Sequence, residues 1–230
     1  MHIAGVQRLS LLDYPGKLSC IVFLPGCNLR CPFCHNASIV LQDNDMLSEE
    51  SVLEFVETRR GVLDGVCITG GEPTIQKDLP LFIQKIKDIG LLVKLDTNGT
   101  APETLQYILD NNLVDYVAMD IKTSLEKYPK AVGVENFSTD KIQRSIELLL
   151  NSTIDYEFRT TVSRGIVELE DIDKICEVIK GCKSYYLQKF VNSGNLVGEG
   201  DFEVNDLYML SCYQKAKEKL ENVGLRGVDI

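Results

Sequence analysis

Three cysteines, Cys27, Cys31 and Cys34, lie within one short stretch of the sequence, and the next cysteine along the chain is Cys67. Four thiolates are typical of a closed structural zinc site or of a fully ligated electron-transfer cluster. Three thiolates in one loop instead favour a [4Fe–4S] cluster in which one iron keeps an open position. An open coordination position is where a metal centre does chemistry rather than scaffolding.

Two alternatives for this loop are a chance cluster of reduced thiols and a zinc knuckle completed by His35, which follows Cys34 directly. Zinc loops seldom space their thiolates at both i+4 and i+7. A zinc site would also leave the motifs further along the chain unexplained. The pattern therefore favours the iron–sulfur interpretation.

The elements that must position this loop alternate between strands and helices, which is typical of a parallel α/β fold. Apolar residues at helical spacing follow the strands, as in Leu79, Phe82, Ile83 and Ile86. The sequence predicts one domain over residues 1–230 with the architecture of a partial (β/α)6 TIM-like barrel. Residues 191–230 are predicted to form a C-terminal extension with a helix at about 205–222 and no readable motif. The predicted strands are 19–24, 65–69, 91–96, 115–119, 156–162 and 184–190.

Polar motifs follow or end most of these strands, and in barrels of this kind the chemistry lies at the carboxyl ends of the strands. We therefore expect the motifs to face one site. In chain order they are the cysteine loop 27–34, Gly70-Gly71-Glu72-Pro73, Asp96-Thr97-Asn98-Gly99, Asp120-Ile121-Lys122, Arg159 and Gln188.

The cysteine spacing, the aromatic Phe33 and the Gly-Gly-Glu string together resemble the radical S-adenosylmethionine (SAM) enzymes. The resemblance implies that Cys27, Cys31 and Cys34 hold a [4Fe–4S] cluster whose open iron chelates the amino and carboxylate groups of SAM. One electron from the reduced cluster then cleaves SAM to a 5′-deoxyadenosyl radical. Residues 70–73 would hold the methionine amino group.

Cys-His-Asn at 34–36, Asp-Thr-Asn-Gly and Asp-x-Lys resemble the glycyl-radical-enzyme activases more narrowly. That resemblance implies a monovalent cation beside the SAM carboxylate and an arginine fork on the carboxylate itself. His35 would lie beside the cluster without binding it. The implied cation ligands are Asp96, Thr97 and Asp120; the implied catalytic residues are the three cysteines and Lys122; the implied cofactor-binding residues are Phe33, Gly70, Gly71, Glu72, Pro73, Thr97, Asn98, Asp120, Lys122, Arg159 and Gln188.

The N-terminal residues 5–17, which end in Asp-Tyr-Pro-Gly-Lys, resemble the activating proteins of anaerobic ribonucleoside-triphosphate reductase. This implies a glycine of a partner glycyl-radical enzyme as the substrate, and a flavodoxin- or ferredoxin-type reductant. The alternatives are an activase of another glycyl-radical enzyme, a radical SAM enzyme acting on a deazapurine-type small molecule, and a non-catalytic iron–sulfur electron carrier. The electron carrier would leave the Gly-Gly-Glu-Pro string and Arg159 unexplained.

Composition limits the partners and the compartment. The formal net charge of −10 argues against a nucleic-acid partner, and no apolar run is long enough to span a membrane. Without an export signal, the cysteines are expected to be cytoplasmic thiols or ligands rather than disulfides. We expect the other five cysteines to be small, buried hydrophobic residues, and the alternative is that they bind an auxiliary cluster. They are Cys20, Cys67, Cys176, Cys182 and Cys212.

Overall fold

The computed structural model describes residues 1–42 and 45–228. The chain divides into two compact units. The first comprises Met1–Asn28, Ser38–Thr97 and Glu103–Val117, and the second comprises Leu29–Ala37, Asn98–Pro102 and Ala118–Ile230. The single domain expected from the sequence stays a prediction.

The first unit contains a sheet with the strand order β2–β3–β5–β6 and a separate pair of short antiparallel strands, β1 and β4. Strands β3, β5 and β6 run parallel, whereas β2 pairs antiparallel with β3. The elements are β1 His2–Ile3, β2 Gly5–Ser10, β3 Ser19–Leu24, α1 Ala37–Leu41, β4 Leu47–Ser48, α2 Glu49–Thr58, β5 Gly65–Gly70, α3 Leu79–Ile89, β6 Leu92–Thr97 and α4 Pro102–Asp110.

The second unit contains strands in the order β7–β8–β9–β10. Strand β9 pairs parallel with both β8 and β10. The strand β7 begins in the first unit and ends in the second. The elements are β7 Tyr116–Asp120, α5 Tyr128–Val132, α6 Asp140–Leu150, β8 Asp155–Val162, α7 Leu169–Val178, β9 Tyr185–Lys189, α8 Asp206–Lys217 and β10 Val223–Arg226.

All six strands predicted from the sequence are present, and each boundary lies within one residue of the prediction. The helical stripes face the core, since Leu79, Phe82, Ile83 and Ile86 are fully buried. The α/β class is confirmed. None of the helices in the described residues combines the length and the apolar character needed to cross a lipid bilayer.

Four strands, β1, β2, β4 and β10, were not predicted. The helix expected at 205–222 is shorter than predicted, since α8 ends at Lys217. Strand β10 follows it as a further parallel strand. Strand β10 is four residues long, includes Gly224 and shows no alternation of burial. Its conformation therefore depends on pairing with β9, which a local pattern does not reveal.

The carboxylate of Asp171 ties α7 to the segment that follows β7. It is 1% exposed at the side chain and accepts hydrogen bonds from the Ser124 hydroxyl at 2.6 Å, the Lys127 ammonium at 2.7 Å and the Glu168 N–H at 2.9 Å. Burial acts to raise the pKa of the carboxyl, but these three donors outweigh it and hold the pKa below its usual range. The ionised carboxylate thus stabilises the start of α7.

We expect Asp171→Asn to lower the free energy of unfolding by about 1–3 kcal/mol at pH 7, because an amide leaves one buried donor without an acceptor. The folded pKa is depressed, so this contribution is fully present above the unfolded pKa of about 3.9 and is lost as the pH falls through the folded value. Urea unfolding at pH 7 and under acid conditions measures both effects. Glu170→Gln, at an exposed position in the same helix turn, is the control. An equal loss at both pH values would contradict this account.

Candidate functional site

None of the three cysteines of the loop forms a disulfide. Cys27 follows β3 and belongs to the first unit, whereas Cys31 and Cys34 belong to the second. The N–H of Cys34 donates to the carbonyl of Cys31 at 3.0 Å, which closes a tight turn. In the described part of the chain, no three His, Cys, Asp or Glu side chains are arranged around a single metal ion. A [4Fe–4S] cluster does not need that arrangement, because each thiolate binds a different iron, and three cysteines outside any disulfide on one loop fit it.

In the second unit, the carboxylate of Asp120 has two cationic partners, and one of them, Lys122, interacts electrostatically with Cys31 and Cys34. Asp120 accepts from Lys122 Nζ at 3.0 Å and from Arg159 Nε at 2.8 Å. Burial acts to raise the pKa of the Asp120 carboxyl, but Arg159 and Lys122 outweigh it and hold the pKa below its usual range. Burial acts to lower the pKa of Lys122, but Asp120 and the thiols of Cys31 and Cys34 raise it above its usual range. The group therefore carries a net positive charge at neutral pH.

The Gly-Gly-Glu-Pro turn packs against the end of β3 in the first unit. The N–H of Gly71 donates to Leu24 O and the N–H of Glu72 donates to Gly26 O, both at 2.9 Å. A Cβ on Gly71 would lie 1.9 Å from Gly26 O, and Gly70 has a φ of +116°. Only glycine tolerates both positions. The close approach that the glycines permit is to the chain's own backbone, immediately before Cys27.

The side chain of Glu72 fixes this turn to the end of β6. Glu72 is fully buried and accepts from the N–H of Thr74 at 3.0 Å, the hydroxyl of Thr74 and the hydroxyl of Thr97 at 2.7 Å. The amide oxygen of Asn98 accepts from the N–H and hydroxyl of Thr100 at 3.0 and 2.6 Å. These side chains, predicted from the sequence to bind a cofactor, thus also shape the loops that carry them.

The three predicted cation ligands already have protein partners. Asp96 pairs with the ammonium of Lys94, Thr97 donates to Glu72, and Asp120 has Lys122 and Arg159. The two carboxylates thus have positive charges beside them without a metal ion. As they stand, these residues do not fit a cation site, and the monovalent cation stays an untested prediction.

Gln188 lies on the same face of the sheet as Arg159. Arg159 on β8 is in register with Tyr186 on β9, and Gln188 is two residues further along β9. Side chains two residues apart point to the same face of a strand. The structure therefore places the side chains of Gln188 and Arg159 on one face of the sheet, on the neighbouring strands β9 and β8.

Several side chains near the site were missed from the sequence. Lys94 is 2% exposed in the middle of β6, and a lysine inside an apolar strand was a visible signal. The hydroxyl of Tyr128 accepts from the N–H of Lys122 at 3.1 Å. Arg226 on the unpredicted β10 makes two hydrogen bonds to Glu157, at 2.7 and 2.8 Å, and stacks 3.8 Å from the centre of the Tyr186 ring. Only the pairing of β10 brings Arg226 to this face.

The cysteines outside the loop behave as buried thiols. Burial raises the pKa of Cys20, Cys182 and Cys212 to about 11 each, and that of Cys176 to about 12. A thiol with so high a pKa is almost entirely protonated at neutral pH and is a poor ligand and nucleophile.

The family model of the radical SAM superfamily matches residues 21–180. A Methanocaldococcus jannaschii protein, whose name assigns it provisionally as a glycyl-radical enzyme activating enzyme, is 36% identical over 82% of this chain and 79% of its own length. The pyruvate formate-lyase-activating enzyme of Clostridium pasteurianum is 26% identical over 80% of this chain and 78% of its own length. Other relatives are named for small-molecule reactions, 7-carboxy-7-deazaguanine synthase among them.

The fold is shared with solved structures. The crystal structure of Streptococcus suis SuiB bound to its precursor peptide SuiA matches 90% of this chain with a TM-score of 0.70 at 16% identity. This chain spans 48% of the length of that one. The likeness supports the partial-barrel prediction. With the family match over residues 21–180 and the three cysteines of the loop, the chain belongs to the radical SAM superfamily, whose enzymes use a [4Fe–4S] cluster and SAM.

Proposed function

We propose that this protein activates a glycyl-radical enzyme by removing a hydrogen atom from the Cα of one glycine of that partner. The observation that carries the proposal is the 36% identity to a relative named as a glycyl-radical enzyme activating enzyme. The sequence retains the features that resemble this type of enzyme, namely the cysteine loop followed by His35 and Asn36, and Asp96-Thr97 and Asp120-Ile121-Lys122. The bound cofactors supply the hydrogen-abstracting radical.

The residues of this chain would bind and orient SAM. We propose that the backbone of Gly70–Pro73 receives the methionine ammonium group and that the guanidinium of Arg159 contacts the carboxylate. The side chain of Arg159 is 12% exposed, and Asp120 engages its Nε, which orients the fork. A guanidinium held in one orientation recognises a carboxylate better than a mobile one, because less side-chain freedom is lost on binding.

Lys122 would hold positive charge beside the cluster thiolates. Its ammonium is protonated at neutral pH, since Asp120 and the thiols of Cys31 and Cys34 raise its pKa. A fixed positive charge stabilises thiolate over thiol and so favours metal binding by those cysteines. We therefore assign Lys122 a role in the electrostatics of the site rather than in proton transfer.

We propose anaerobic ribonucleoside-triphosphate reductase as the partner, a flavodoxin- or ferredoxin-type protein as the reductant, and the cytoplasm as the compartment. The partner rests on the resemblance of residues 5–17. In the structure, Tyr14 of this segment is 4% exposed and packs against Tyr116 with ring centres 6.0 Å apart. Leu11 and Leu12 are 73% and 88% exposed. The segment thus offers two apolar side chains that are available to a protein partner.

The cluster should depend on three cysteines only. Alanine at Cys27, Cys31 or Cys34 should abolish the [4Fe–4S] absorbance and iron content of protein reconstituted without oxygen, because each thiolate holds one iron. Alanine at Cys176, Cys182 or Cys212 should leave both unchanged, since the raised pKa of each of these thiols keeps it protonated at neutral pH. Iron content near eight per chain, or a cluster that survives the loss of Cys31, would refute the assignment.

Removal of the Arg159 guanidinium should weaken SAM binding. We expect Arg159→Ala to cost about 1.5–3 kcal/mol, a weakening of about 10- to 100-fold, because a charge-assisted hydrogen bond is lost. Titration calorimetry on the reconstituted protein measures the affinity. Arg60→Ala is the control, since Arg60 pairs with Glu57 on an exposed surface. Equal affinities for parent and Arg159→Ala would show that Arg159 is not in contact with SAM.

The partner glycine should acquire a radical. Reduced enzyme, SAM and an anaerobic ribonucleotide reductase, mixed without oxygen, should give an electron paramagnetic resonance doublet split by the remaining α-hydrogen. Deuterium at the glycine Cα should collapse the doublet and appear in 5′-deoxyadenosine. If the doublet forms only with another glycyl-radical enzyme, the assignment of the partner changes and the class of reaction stays the same.

Two results would reject the activase assignment. If SAM is cleaved but no deuterium leaves any glycine, the enzyme is a radical SAM enzyme with another substrate, and a deazapurine-type small molecule becomes the candidate. If no 5′-deoxyadenosine forms at all under reducing conditions, the protein is an iron–sulfur electron carrier.

A further inference from the structure

The cysteine loop has little regular structure of its own, so other parts of the chain must hold it. No helix or strand is present between β3 and α1. At its start, the N–H of Arg30 donates to Val132 O at 2.8 Å, and Gly133 lies so close that a Cβ there would be 2.3 Å from Arg30 O. This contact fixes the residues before Cys31 but not those after it.

Residues 193–202, here called the strap, lie along the second half of the loop. The N–H of Val197 donates to Cys34 O and the N–H of Gly198 donates to Pro32 O, both at 3.0 Å. At the loop's end, the N–H of Ala37 donates to Asn195 O at 3.3 Å. These hydrogen bonds join two irregular segments in the way that backbone bonds join neighbouring strands. The strap thus provides hydrogen-bond partners for backbone N–H and C=O groups of the loop.

The hydroxyl of Ser193 adds a bond to His35 O at 3.2 Å. The strap carries no regular secondary structure and lies beyond residue 180, where the radical SAM family model ends. It therefore extends the site with residues that the family match does not reach.

Side chains anchor the far end of the strap. The ring of Phe202 meets the edges of Phe33 and Phe190 at centroid distances of 6.3 and 5.8 Å. The N–H of Arg164 donates to Phe202 O at 3.0 Å, and its guanidinium pairs with Asp201 at 2.6 Å. Because Phe33 directly precedes Cys34, the aromatic contact reaches the loop next to a cluster ligand.

The strap and the loop approach each other so closely that one position must be glycine. A Cβ on Gly198 would lie 2.6 Å from Pro32 Cβ and 2.8 Å from Pro32 Cα. Gly198 has no left-handed φ, so the constraint is the neighbouring proline and not the local conformation. A methyl group at this position must push the strap and the loop apart.

We propose that the strap holds the turn from Cys31 to Ala37 in its cluster-binding conformation, with Val197, Gly198 and Phe202 as positioning residues. Three protein thiolates give a cluster fewer attachments than four, so the backbone that presents them must be rigid before the metal arrives. The strap supplies that rigidity through backbone hydrogen bonds. Its exposed outer surface, which includes Ser193, Gly194 and Asn195, lies over the cluster loop.

The test compares two glycine-to-alanine variants. Gly198→Ala forces the strap off the loop, whereas Gly5→Ala adds the same methyl group at a glycine with nothing within 4 Å of the added Cβ and no left-handed φ. In the apoprotein, amide hydrogen exchange at Ala37, Val197 and Gly198 should be about three- to tenfold faster in Gly198→Ala, the effect of losing one or two backbone hydrogen bonds. Gly5→Ala should match the parent.

The reconstituted protein gives the second readout. A chelator should remove iron from Gly198→Ala about three- to tenfold faster than from the parent, and the midpoint potential of the cluster should shift. Phe202→Leu keeps the backbone bonds and removes the ring contacts, so it should change both quantities in the same direction by less. If Gly198→Ala does not fold, Phe202→Leu still tests the proposal.

Hydrogen exchange, iron loss and the midpoint potential together decide whether the strap positions the cysteine loop. Faster exchange together with faster iron loss and an altered potential supports it. Faster exchange with unchanged iron loss and potential would show that the strap only packs against the loop, and the positioning role would be overturned. Unchanged exchange in Gly198→Ala and unchanged iron loss in Phe202→Leu would overturn it as well. None of these readouts requires a partner enzyme, so the activase proposal is tested separately.

Discussion

In the first unit, the chain that leads into the cysteine loop depends on a contact between two pieces of backbone. The Gly-Gly-Glu-Pro turn lies so close to Leu24 and Gly26 that no side chain fits between them. Two hydrogen bonds join these segments, and the buried carboxylate of Glu72 ties the same turn to Thr97 at the end of β6. Since Cys27 directly follows Gly26, the first of the proposed cluster ligands starts from a point that three parallel strands define together.

In the second unit, the charged side chains near the cysteine loop depend on charge balance around Asp120. A carboxylate taken out of water costs free energy unless it is paired and hydrogen-bonded. Lys122 and Arg159 provide this compensation, and their excess positive charge lies beside Cys31 and Cys34. The same arrangement suits an anionic cluster loop and an anionic SAM carboxylate. It also lessens the need for the monovalent cation that the family resemblance implies.

Two of the features missed from the sequence, Arg226 and the strap, have partners that lie far away along the chain. Arg226 meets Glu157 only because β10 pairs with β9, and the strap meets Pro32 and Cys34 across more than half of the sequence. Backbone hydrogen bonds between irregular segments leave no apolar periodicity, so pattern analysis cannot detect them. A lone glycine such as Gly198 also gives no signal in the sequence, because the residue that it contacts, Pro32, lies far away along the chain.

The sequence by itself determined the family and located the six predicted strands to within one residue, and it singled out the three cysteines that we propose as cluster ligands. Those features are local, since they depend on the spacing of thiols, the alternation of apolar runs and the types of residue at strand ends. Only the tertiary structure decided what each polar residue contacts: that Glu72 accepts from Thr97, that Asp120 pairs with Arg159, and that the strap bonds to the cysteine loop. The physical reason is that hydrogen bonds and ion pairs act over a few ångströms in space, and the folded chain brings together residues that the sequence keeps far apart.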